Sequence, residues 1–99
     1  MQPYNELYYD TYLSILACLP PDTHDVLDGK SCGSNGCING NKGYSTLLQA
    51  WGRCAKVPHC GFVMLWNDDK YYLRRSSDPY VNQNLTGYVF PSHCGIHCF

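Results

Sequence analysis

Seven cysteines in a chain of 99 residues constrain the fold more than any other feature. A chain this short makes one domain with a modest apolar core, and covalent cross-links are the usual substitute for missing bulk. So dense a set of sulfurs, with abundant aromatic residues, implies a disulfide-stapled domain in an oxidising compartment, extracellular or the lumen of an organelle. An odd count leaves at least one sulfur without an intrachain partner, either buried and inert or bonded to another chain. The first twenty residues lack a basic start and a clean apolar core, so the targeting segment is expected to be absent from this sequence. No run is long enough to span a bilayer. A net charge of −1 with sparse charged residues offers little to nucleic acid or an acidic membrane. Lys70, Arg74 and Arg75 make the one basic cluster.

The organising stretch runs from Tyr44 to Arg75. Thr46 is placed to cap a helix, with Gln49 three residues on to answer it in a capping box. Leu47, Ala50, Trp51 and Cys54 recur at the spacing of one helical face. Pro58 ends the helix near Lys56. Gly61 to Trp66 is apolar almost throughout, which predicts a central strand covered on both sides. A turn at Asn67-Asp68-Asp69 leads to a second strand, Lys70 to Arg75, with one wet face. Cys54 closes the helix and Cys60 opens the strand that turns back on it. Five intervening residues, Pro58 among them, can bring the two Cα atoms within disulfide range. So short a bridge would chiefly fix the angle between helix and strand.

The run from Gln49 through Trp51, Cys54, Pro58 and Cys60 to Val63 resembles the centre of a PAN/apple domain. There a helix ends in Cys, a short Pro-containing loop leads to a second Cys, and an aromatic strand follows. Tyr71-Tyr72-Leu73-Arg74 is similar to the family's next strand. Two departures go together: Ala50 and Tyr71 stand where the family carries the two halves of another disulfide. The resemblance implies a small disulfide-rich α+β domain with one central helix on an antiparallel sheet. It also implies the Cys54–Cys60 pair, and a bond between the first and last parts of the domain. That bond would join one of Cys18, Cys32 or Cys37 to Cys94 or Cys98. A loop of that size is worth roughly 4 kcal/mol on the chain-entropy account.

Two regions flank this core. Residues 1–19 read as an extra amphipathic helix over roughly Glu6 to Cys18, capped by Asn5 and stopped by Pro20-Pro21. Tyr8, Tyr12, Ile15 and Leu19 lie on one side and Tyr9, Leu13 and Leu16 on the next, a wider apolar surface than a small core needs. Tyr8, Tyr9 and Tyr12 suit a protein interface with one apolar and one wet end. Residues 20–99 form the stapled domain. From Pro20 to Gly43 glycine, asparagine and aspartate indicate successive turns, tied by Cys32 and Cys37, with a short strand near Ile38. Asn35-Gly36 and Asn39-Gly40 can each close a tight hairpin. Asp22, Asp25 and Asp28 do not fit a calcium loop and read as solvated charges. Farther on, Asn84-Leu85-Thr86 is a glycosylation sequon, meaningful if the chain passes through a secretory pathway. Gly87 to Phe90 reads as a closing strand.

The chemistry that these residues could carry is limited. Cys32, Cys37, Cys94 and His97 would give zinc four ligands, but the tight Cys-x2-Cys pairs of zinc modules are missing. His24, His59, His93 and His97 come with no nucleophile, orienting group and oxyanion hole in a recognisable set. No metal, cofactor or catalytic residue is expected. The expectation is a non-catalytic module recognising protein or carbohydrate through the exposed members of Tyr71, Tyr72, Arg74, Arg75 and Tyr80, on the sheet face away from the helix. The alternative is a permanent accessory subunit of a larger extracellular or lumenal assembly, such as a photosynthetic membrane complex, docked through its N-terminal tyrosines. A small zinc module is the third reading.

Overall fold

The computed structural model describes residues 18–95. The tyrosine-rich segment with Tyr8, Tyr9 and Tyr12, and the tail with His97 and Cys98, lie outside the described residues. Within them the chain is a small α+β domain of five strands, β1 (Gly29–Lys30), β2 (Cys60–Leu65), β3 (Tyr71–Arg75), β4 (Tyr80–Asn82) and β5 (Thr86–Val89), with one helix, α1 (Leu47–Cys54). Thr46 is extended and its side chain accepts the Gln49 N–H at 3.2 Å, which starts α1. The second half of the capping box is replaced, since Gln49 Oε1 accepts from the Ser45 hydroxyl at 3.0 Å. After Cys54 the chain tightens into turns, with Lys56 N–H on Arg53 O and Val57 N–H on Cys54 O, before Pro58.

Strand β2 lies in the middle of an antiparallel sheet of order β3-β2-β5. It is buried from Cys60 to Met64 because both faces are covered. On the inner face Val63 and Leu73 meet Ala50, Trp51 and Cys54 of α1, together with Val57 and Phe90. The Trp51 and Phe90 rings sit 4.8 Å apart, and the indole N–H donates to Cys18 O at 2.7 Å, so the largest core residue leaves no buried donor unpaired. On the outer face Phe62 and Met64 are covered by a two-stranded antiparallel ribbon of β1 and β4. Packing on this face is tight. A Cβ at Gly29 would fall 2.4 Å from a Leu85 methyl, and one at Gly87 would fall 2.3 Å from the Phe62 ring. Both positions require glycine for space.

Three disulfides fix this arrangement: Cys18–Cys94, Cys32–Cys37 and Cys54–Cys60, with Cα separations of 5.5, 4.9 and 5.4 Å. They are consistent with an oxidising compartment. They also engage Cys32, Cys37 and Cys94, three of the four ligands that the zinc reading requires. No helix among the described residues is long and apolar enough to cross a membrane.

The turn-rich segment departs from expectation in four places. Residues Ile38–Asn41 form a single tight helical turn where a strand was expected. Neither Asn-Gly pair closes a hairpin; Asn39, Gly40 and Asn41 instead run through three successive left-handed conformations, φ 56°, 59° and 54°. Asn and Gly are the residues that tolerate this. Asp25 and Asp28 are not simply solvated, because their carboxylates accept the backbone N–H groups of Val89 (2.6 Å) and Asn82 (3.0 Å). Both pin the 20–28 segment to the sheet. Strands β1 and β4 were not anticipated at all.

The bridges should contribute unequally. Cys18–Cys94 spans 76 residues and Cys32–Cys37 only 5. On chain entropy alone the first contributes about 4.5 kcal/mol and the second about 2. Urea unfolding without reductant should therefore show the Cys18→Ser/Cys94→Ser double variant losing about twice the stability lost by Cys32→Ser/Cys37→Ser. Equal losses would mean that loop length is not what these bridges act through.

Candidate functional site

Pairing of Phe62 with Arg74 and of Met64 with Tyr72 places these four side chains on the outer face of the sheet. Trp66, two residues beyond Met64, continues that row past the end of β2. The ribbon covers Phe62 and stops short of Trp66, which is 36% exposed. What remains is a recess of about 200 Å³ lined by Asn41, Met64, Trp66, Tyr72 and Arg74.

Arg74 forms the floor of the recess and is only 6% exposed. Its Nε donates to Lys30 O at 2.9 Å, and its Nη1 donates to Asn41 Oδ1 and to Leu73 O, both at 2.8 Å. The guanidinium carbon lies 5.9 Å from the centre of the Tyr72 ring. Burial pushes its pKa down, against the pull of Asp78 and Tyr72, but a guanidinium stays charged in any such setting. Asn41 is aimed at it by the left-handed turn, and Asn39 in the same turn donates through Nδ2 to the Tyr44 hydroxyl at 2.8 Å. At the rim the Tyr72 hydroxyl donates to Asp68 Oδ2 at 2.6 Å, and the Lys70 N–H occupies Asp68 Oδ1 at 3.0 Å. The first of these bonds holds the Asp68 carboxyl below its ordinary value and the Tyr72 hydroxyl above its own.

Behind the recess sits a buried polar cluster. Lys30 is 4% exposed and Asp78 is 3% exposed. The Lys30 ammonium donates to Ser76 O (2.9 Å) and Asp78 O (2.6 Å) and lies 4.0 Å from the centre of the Tyr80 ring. Burial pushes its pKa down, while Asp78 and then Asp28 pull it up. The Asp78 carboxylate accepts the N–H groups of Gly33 (3.0 Å) and Arg75 (2.8 Å). Through its carbonyl and its carboxylate together, Asp78 joins the ribbon, the β3–β4 turn and the Cys32–Cys37 loop.

The five candidate surface residues separate. Tyr72 and Arg74 meet in the recess. Tyr71 lies on the inner face, where its ring approaches Tyr88 at 6.4 Å. Arg75 donates to Gly36 O at 2.7 Å and borders a different cleft of about 550 Å³ with His59, Ser76, Ser77, Phe90 and Ser92. Tyr80 is 48% exposed and packs edge-on against Phe62. Asn84 is exposed in the turn between β4 and β5. Sequence reasoning missed Trp66 and Asn41. The alternation along β2 could have found the first; nothing in the sequence marked the second.

Two variants test this geometry. Asp78→Ala leaves the backbone N–H groups of Gly33 and Arg75 without their acceptor and removes the carboxylate whose charge offsets Lys30 and Arg74, and should cost about 3 kcal/mol in chemical denaturation. A loss within experimental noise would show that the cluster does not hold the ribbon. For Asp68, a carboxyl held below 3.8 gives stability that is whole above that pH and is lost as pH falls through the lower folded value. Tyr72→Phe should therefore move the Asp68 carboxyl titration, followed by NMR, upward; an unchanged midpoint would mean that the hydroxyl bond is absent in solution. No family model, curated protein or solved structure matches the chain.

Proposed function

We propose that this chain is a non-catalytic recognition module, PAN/apple-like in build, acting outside the cell or in an organelle lumen. Support for the architectural part comes from α1 bridged by Cys54–Cys60 to the start of the central strand. Tyr71, at one of the two positions where the family's other disulfide is missing, packs against the core cluster that contains Ala50.

One observation carries the functional part: a half-open Trp66 lines one recess with Tyr72 and a buried arginine, on the face that the helix leaves free. An aromatic wall with polar groups at its base suits a flat, hydroxylated ring better than an extended peptide, which would need an unpaired strand edge or a longer groove. Carbohydrate is therefore the favoured ligand class, and protein the other. Asn84, being exposed, can accept a glycan itself if the chain passes through a secretory pathway.

A second reading, a permanent subunit of a larger assembly, is favoured by the exposed Leu27, Val81 and Val89, at 60%, 55% and 47%. A glycan panel probed with the full chain and with Trp66→Ala decides between them. Retention on glycans by the parent, reduced roughly tenfold or more in the folded variant, supports recognition. A parent that binds no glycan and stays soluble only with a partner protein supports the subunit.

A further inference from the structure

The outer face buries two cations, Lys30 and Arg74, against one carboxylate, Asp78. Lys30 is drawn to both Asp78 and Asp28, and Asp78 is ion-paired with Arg75, so Arg74 is the buried cation with no carboxylate bonded to it among the described residues. The deficit is localised. Lys30 has two carbonyls and an aromatic face, and Asp78 is taken up by Gly33 and Arg75. Arg74 uses Nε and both protons of Nη1, whereas Nη2 has no acceptor among the described residues. Only Arg75 and Asp78 form an ion pair among those residues.

The orientation of Asn41 sharpens this. Because Arg74 can only donate, the amide must turn Oδ1 towards it. Its Nδ2 group is then left with two N–H donors and no acceptor among the described residues. The Tyr72 hydroxyl gives its proton to Asp68 Oδ2, and the Lys70 N–H takes Oδ1 of the same carboxylate. Arg74 and the exposed Asn41 thus bring N–H donors with no acceptor among the described residues to the lining of the recess, which also includes the Trp66 indole. A neutral sugar brings hydroxyls that donate as much as they accept. A carboxylate accepts only, and it matches a guanidinium plane. A volume of about 200 Å³ holds one ring and not a run of them.

Resting on the carbohydrate reading above, we infer that the recess takes one acidic monosaccharide residue, its ring face on Trp66 and its carboxylate on Arg74 Nη2 and Asn41 Nδ2. The probes are methyl glucuronide, methyl glucoside, a 6-sulfated glucoside and sodium sulfate, titrated against the full chain by tryptophan fluorescence and calorimetry. Methyl glucuronide should bind roughly tenfold or more tighter than methyl glucoside, the effect of a hydrogen bond to a charged group, and should weaken with salt. Asn41→Asp should remove that preference and raise the melting temperature, since it places the missing anion on Arg74; the stability readout needs no ligand. Glucoside and glucuronide bound equally, both through Trp66, would overturn this inference and leave the carbohydrate reading standing. Binding of none of the sugars would overturn both. Equal binding of the sulfated sugar or of sulfate alone would reduce the site to an adventitious anion site, as would an Asn41→Asp variant no more stable than the parent.

Discussion

Everything in this domain depends on a core one strand deep. Strand β2 is buried on both faces from Cys60 to Met64, and the segments that cover it are one eight-residue helix and a ribbon of two short strands. Each disulfide answers one of these weaknesses. Cys54–Cys60 sets the angle at which an eight-residue helix meets the sheet, and both sulfurs lie within the core. Cys18–Cys94 brings together the two ends of the described chain and carries Cys18 O to the Trp51 indole. Cys32–Cys37 closes the loop that presents Gly33 to Asp78. Loss of chain entropy in the unfolded state, more than area buried, is what tips so thin a structure towards folding.

The two faces of the sheet solve the burial problem by different chemistry. The inner face is apolar, with Val63 and Leu73 under α1. The outer face has a ribbon of two short strands that contributes little apolar surface, and the ribbon is held by charge instead. Lys30 on β1 reaches carbonyls of the β3–β4 turn, Asp78 in that turn reaches back to Gly33, and Arg74 reaches Lys30 O. Such bonds are directional. They position the ribbon in one register where apolar contact would allow several, at the cost of burying charge that must then be balanced.

This division explains what could be read in advance. Helix α1, its Thr46 cap, strands β2 and β3 and the turn between them follow from local periodicity, because the inner face is assembled by the rules that periodicity encodes. The outer face is assembled by long-range polar contacts, which leave no periodic trace. Lys30 and Asp78 look like surface residues in the sequence, and β1 and β4 are too short to show alternation. Asp25 and Asp28 look solvated for the same reason; the backbone donors they accept from, Val89 and Asn82, lie more than fifty residues away. Arg74 was legible as a candidate, though as an exposed one. Trp66 continued a visible pattern by one step, and its significance depends on where the ribbon ends.

The recess inherits its rigidity from both halves of this design. Its arginine is fixed on three sides by a carbonyl of the ribbon, a carbonyl of its own strand and an amide from a left-handed turn. That turn is tied to the framework by Asn39 on Tyr44, and Tyr44 exchanges two backbone bonds with Tyr71 on β3. A guanidinium so held loses little further freedom when a ligand arrives, and freedom lost on binding is a main reason that shallow sites bind weakly. The same polar contacts that let a small domain cover its second face therefore leave a pre-set cluster of donors at the edge of the cover. In a fold this size the stabilising device and the candidate site meet in one residue, Arg74.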